Sequence, residues 1–152
     1  MTTIDLPILS NKRECGTCTK CCEGWLSADI KGHKMFPGKP CFFIEQGVGC
    51  KDYEGRPEDP CKDFECGWKQ IVGMPDEFRP ELSGTIMSYR ERTNSWTLNK
   101  APNNPSIQFL SWALLFVLTN GYNFVWYIDD QIYWIGSDEF CLEMKRIKNN
   151  ER

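Results

Sequence analysis

Eight of the nine cysteines in this 152-residue chain fall between positions 15 and 66. They open with Cys15-x-x-Cys18-x-x-Cys21-Cys22 and continue at Cys41, Cys50, Cys61 and Cys66. Thiols at this density serve as disulfides, as metal ligands or as a redox device. Each choice builds a different fold, so the cysteines constrain the first half of the chain more than any periodic pattern does.

Residues 1–70 show little regular pattern. Gly, Pro, Lys and Cys alternate closely, with short apolar patches such as Phe42-Phe43-Ile44. Such a segment buries little surface against an ordering entropy of about 1.5 kcal/mol per residue. Metal–thiolate bonds would make up the difference. The spacing favours that reading. Cys15-x-x-Cys18 lets two thiolates reach one ion, a step shared by zinc knuckles and iron–sulfur loops. The third step to Cys21 is how a ferredoxin loop wraps a cluster, with a remote fourth Cys closing it. Adjacent Cys21 and Cys22 point different ways, so one of them can serve a second site. Eight cysteines divide into two sets of four. Two all-thiolate sites, or one cluster and one zinc, are both arithmetically open, and spacing alone does not pair the ligands.

The competing readings are a disulfide framework, metal-free thiol redox chemistry at Cys21-Cys22, and metal storage or delivery. An even count suits disulfides. The N-terminus, Met1-Thr-Thr-Ile-Asp-Leu-Pro, lacks the basic and apolar regions of a secretory signal, which argues for a reducing cytoplasm. The longest apolar stretch, Ile107 to Leu118, falls short of the roughly 20 residues of a membrane span. Net charge is −3 and divides evenly between the halves, leaving no basic stripe for a phosphate backbone. Neither nucleic acid nor membrane is expected as a partner. A protein redox or substrate partner is.

The later cysteines sit in a denser motif: Gly49-Cys50-x-x-Tyr53-x-x-Arg56-Pro57-x-x-x-Cys61-x-x-Phe64-x-Cys66. Together with Cys15–Cys22 and Pro40-Cys41-Phe42-Phe43, it resembles the CxxCxxCC family, a zinc- or iron-chelating domain, over about residues 14–75. The chain departs from that pattern by one residue between Pro57 and Cys61, by Lys62 in place of an arginine, and by Glu65 in place of a proline. None of these changes removes a thiolate. The resemblance implies metal binding by Cys15, Cys18, Cys21, Cys22, Cys41, Cys50, Cys61 and Cys66. The cofactor is expected to be an iron–sulfur cluster, of the 4Fe-4S type, with zinc as the alternative. A related branch similar to flagellin lysine N-methylases adds methyl transfer, but no Gly-rich strand-to-helix loop is evident here.

Other candidates have plain readings. His33, the only histidine, is a surface residue before it is a ligand. Arg56 is either a turn residue or a hydrogen-bond donor to sulfur. Cys141 is a buried apolar thiol. Asp129 and Asp130 form a hairpin tip.

Residues 71–152 read as self-sufficient. Met74–Pro80 is a two-proline linker. Strands over Thr85–Glu91 and from Trp96 flank a turn at Thr93–Ser95. Asn104-Pro105 starts a helix through Ser106–Thr119, and Asn120-Gly121 stops it. Tyr122–Ile128 and Gln131–Ile135 form a hairpin, and Asp138 opens a last helix. The expectation is an α+β protein in two parts. An irregular Cys-rich metal-binding lobe spans residues 1–73. A lobe with an antiparallel sheet and helices, in the order β-β-α-β-β-α, spans residues 74–152.

Overall fold

The computed structural model describes residues 18, 20–23, 25–36, 39–45, 48–58, 61, 64–100 and 104–150. Cys15, the first cysteine of the motif, lies outside them. Among the described residues, the first half holds two small antiparallel hairpins. Strands β1 (Ala28–Ile30) and β2 (His33–Met35) form one. Strands β3 (Ile44–Glu45) and β4 (Gly49–Cys50) form the other. Hairpins this short are marginal by themselves. Side-chain burial is correspondingly sparse here, with Ile30 and Met35 as the buried apolar residues of β1 and β2.

The second half is built on one four-stranded sheet, β5 (Thr85–Arg90), β6 (Ser95–Lys100), β7 (Asn123–Ile128) and β8 (Gln131–Ile135), in that spatial order. Helix α3 (Ile107–Asn120) connects β6 to β7, and α4 (Asp138–Asn150) follows β8. This is the expected α+β class and the expected β-β-α-β-β-α order. The sheet is not antiparallel throughout, however. β5–β6 and β7–β8 are antiparallel hairpins, but β6 and β7 run parallel. The reason is topological. Each hairpin reverses the chain, whereas α3 carries it back along the sheet so that β7 starts at the same end as β6.

Local chemistry explains the turns. Asp129 and Asp130 both take left-handed backbone, φ 47° and 65°, as a two-residue type I′ hairpin demands. Gly121 ends α3 at φ 72°, and the Tyr122 N–H closes onto the Val117 carbonyl at 2.9 Å. The helix starts two residues later than the Asn104-Pro105 signal suggests. Ser106 is the cap, its hydroxyl accepting from the Phe109 N–H at 3.1 Å. Asn104 is drawn away to the hairpin tip. Its Nδ2 donates to the Asp129 carboxylate at 2.7 Å, and the Asp129 N–H donates to its Oδ1 at 3.0 Å.

Sheet alternation sends one set of side chains to each face. On the first face, Met87, Trp96, Leu98 and Phe124 meet Phe109, Ala113 and Val117 of α3 in the main core. Met74 and Phe78 join them at 1% and 6% exposure, and Phe78 stacks on Phe109 with centroids 4.4 Å apart. Met74, Phe78 and Pro80 are therefore buried rather than part of an exposed linker. Pro75 and Pro80 flank a tight turn at Asp76–Phe78, and Pro80 opens the short helix α2 (Pro80–Ser83). The helix before them, α1 (Gly67–Gln70), belongs to the same core. Trp68 is buried in it, and Cys66 and Ile71 pack against it. By packing, the main core reaches back past residue 74 to Cys66. On the opposite face, Val125 meets Phe140 and Met144 of α4 in a smaller cluster. No helix among the described residues is long and apolar enough to cross a membrane.

Candidate metal centre

The cysteines are placed by short backbone ties. Lys20–Cys22 forms a single tight turn. The Cys41 N–H donates to the Cys22 carbonyl at 2.8 Å, pinning the Cys41 segment to the Lys20–Cys22 turn. Cys50 on β4 pairs with Ile44 on β3, three residues after Cys41, and the Lys51 N–H reaches the Phe43 carbonyl at 2.7 Å. Two stretches about thirty residues apart are thereby drawn together. Cys18, Cys21, Cys22, Cys41, Cys50 and Cys61 consequently line one concavity. All six are partly buried, and Cys22, Cys41, Cys50 and Cys61 carry free thiols.

Cys66 is placed differently. It precedes α1, packs against the main core, and is absent from the lining of the concavity. Cys141 on α4 is likewise remote. It is half-exposed rather than buried, with its thiol 3.7 Å from the Gly136 carbonyl. His33 is an exposed residue of β2, stacked flat on Phe42 at 4.1 Å, and faces the surface.

Electrostatics report which thiols feel one another. The Cys22 thiol is lowered to about 7 from its ordinary 9.0. The largest cause is its hydrogen bond with Cys21, at a sulfur separation of 3.9 Å, with a smaller lowering from Arg56. Burial and Glu23 oppose this. The Cys41 thiol is raised, first by burial and then by repulsion from Cys22 and Cys50. The Cys61 thiol is raised by burial and by the charges of Cys22, Cys41 and Cys50. Four thiols therefore sit within electrostatic reach of one another. Of Cys22, Cys41 and Cys61, Cys22 gives up its proton first, while desolvation and like charges hold the protons of Cys41 and Cys61.

Arg56 completes the site. Its guanidinium lies over the Tyr53 ring at 3.7 Å. Its charge acts on both Cys22 and Cys61, and its Nε is buried with no hydrogen-bond partner among the described residues. A buried donor without an acceptor is costly, and sulfur bound to metal is the kind of acceptor such a position suits. The donor set, all thiol with one orphaned N–H, fits a thiophilic metal chemically. Among the described residues, no three Cys, His, Asp or Glu side chains stand close enough together to hold one ion. Arg56 was open to two sequence readings, and its proximity to the thiols could only come from the fold.

No family model matches the chain, and no curated protein and no solved structure matches it either.

Proposed function

We propose that the chain binds a thiophilic metal through its cysteine-rich half, with an iron–sulfur cluster as the leading occupant. The observation that carries this reading is the gathering of six cysteines from four separate stretches around one concavity. Cys15 and Cys18, with Cys21 or Cys22, would hold one side, and Cys41, Cys50 and Cys61 the other. Arg56 would donate its orphaned Nε–H toward sulfur, and its charge would favour the thiolate form. Cys66 is the member of the set that stands off from this group. The cluster supplies one-electron transfer when bound. The role that follows is a small redox or accessory one, served by a protein partner in the cytoplasm.

One observation favours zinc as the second reading. Cys22, Cys41, Cys50 and Cys61 act on one another electrostatically, and four thiolates are the number a structural zinc site uses. In that case the lobe is a zinc-stabilised interaction module without redox activity.

Metal analysis of anaerobically purified protein, with its visible absorption spectrum, separates the two. Iron with inorganic sulfide and a brown colour supports the cluster, and colourless protein with zinc supports the module. Cys18→Ser is expected to abolish metal uptake, whereas Cys141→Ser leaves the metal content unchanged. Equal loading of wild type and Cys18→Ser contradicts the proposal.

A further inference from the structure

The concavity that the thiols line has other walls, and they have a chemistry of their own. Its volume is 1810 Å³, far more than an ion requires. Its floor is the second face of the sheet. Register places Arg90 opposite Ser95 and Ser88 opposite Thr97 across β5 and β6. Thr97 in turn neighbours Val125 on β7, which neighbours Trp134 on β8. The floor is therefore polar under β5–β6 and apolar under β7–β8. Only the apolar half lies under α4, through Phe140 and Met144. Ile147, one turn further along α4, is 39% exposed and lines the opening.

The charges along these walls are unequally committed. Every carboxylate lining the concavity among the described residues is engaged. Glu23 pairs with Lys20, Asp52 with Lys31 and Glu143 with Arg146, and Asp130 has a partner of its own. Arg90, at the end of β5, and Arg92, in the turn that follows, have no carboxylate partner among the described residues. Both are exposed and both line the concavity. Unpaired arginines beside an apolar wall suit a ligand with an anionic head, which a guanidinium binds in bidentate fashion. The apolar floor begins one row along and two strands over from Arg90, roughly 12 Å at ordinary sheet spacings. That is about the length of a medium acyl chain.

We propose that this concavity binds an amphipathic organic anion, its carboxylate held by Arg90 and Arg92 and its apolar tail laid toward Val125 and α4. The site is built on the sheet and α4 and does not depend on what the thiols hold.

Titration calorimetry on the full chain as purified tests it with three probes of one tail length: octanoate, octylammonium and octanol. Octanoate is expected to bind at least about tenfold more tightly than either of the others, the worth of a charge-assisted pair. Arg90→Gln/Arg92→Gln should remove that preference while leaving the circular dichroism spectrum unchanged, since both side chains are exposed. Ile147→Asn should weaken all three probes together. Octanoate that fails to bind, that binds no better than octylammonium, or that binds the double arginine variant undiminished overturns the proposal. Repeating the titration after metal removal keeps this outcome separate from that of the metal reading.

Discussion

At the residue scale, the chemistry of the first half rests on unequal thiols. Cys22 has lost much of its hold on its proton, chiefly to the neighbouring Cys21 sulfur, while burial holds the Cys41 and Cys61 protons in place. Thiolate is the reactive form. In metal-free protein, iodoacetamide should therefore modify Cys22 well before Cys41 and Cys61. A group whose pKa lies at about 7 is mostly thiolate above that pH and mostly thiol below it. The Cys22 rate should accordingly rise through neutrality and level off on the alkaline side, while the Cys41 and Cys61 rates are still rising there. Peptide mapping after timed alkylation reads all three. Equal rates at neutral pH would show that the Cys21–Cys22 contact is absent in solution. None of this ordering is visible in the spacing of the cysteines, because it depends on which neighbour each sulfur meets.

At the element scale, caps and turns account for where the second half starts and stops its helices. Gly121 and the Asp129-Asp130 tip do what their sequence suggests, since both need positive φ and both residue types tolerate it. The start of α3 does not follow the apparent signal. Asn104 and Ser106 are both good caps by type. The long-range bonds of Asn104 to Asp129 remove it from the contest and leave Ser106 to cap. Ser106→Ala is expected to cost about 1 kcal/mol, the usual worth of an N-cap hydroxyl. Asn104→Ala should leave α3 helical and loosen the β7–β8 tip instead. Urea unfolding of the first variant, and amide exchange at Asp129 and Asp130 in the second, check the division. A large helix loss in Asn104→Ala would return the cap to Asn104.

At the scale of the whole molecule, the main core extends upstream of residue 74. Trp68 is 9% exposed within the main core, beside Met74 and Phe78. Its indole N–H donates to the Asp76 carboxylate at 3.1 Å, and the Arg79 guanidinium lies 4.7 Å from its ring. A chain begun at residue 74 would lose this indole and open the core beneath it. Removing a buried large aromatic costs about 3–5 kcal/mol. A fragment of residues 65–152 should thus unfold at clearly higher urea than one of residues 74–152. Equal midpoints would restore the boundary at 73/74.

The chain's own residue order determined a good deal of this protein. It set the cysteine-rich character of the first half and the α+β class. It also set the order of strands and helices in the second half, where period-2 and period-3.6 patterns and punctuating Gly, Asn and Asp act locally. Tertiary structure alone decided the rest. The parallel step between β6 and β7 follows from the path of α3, and Met74 and Phe78 became core because the sheet and α3 offered them a surface. Cys66 packed against the main core, and Arg56 came to line the same concavity as the thiols with its Nε buried and without a partner among the described residues. These outcomes share one physical cause. Burial, repulsion and pairing depend on which distant residues meet, and separation along the chain does not encode that distance.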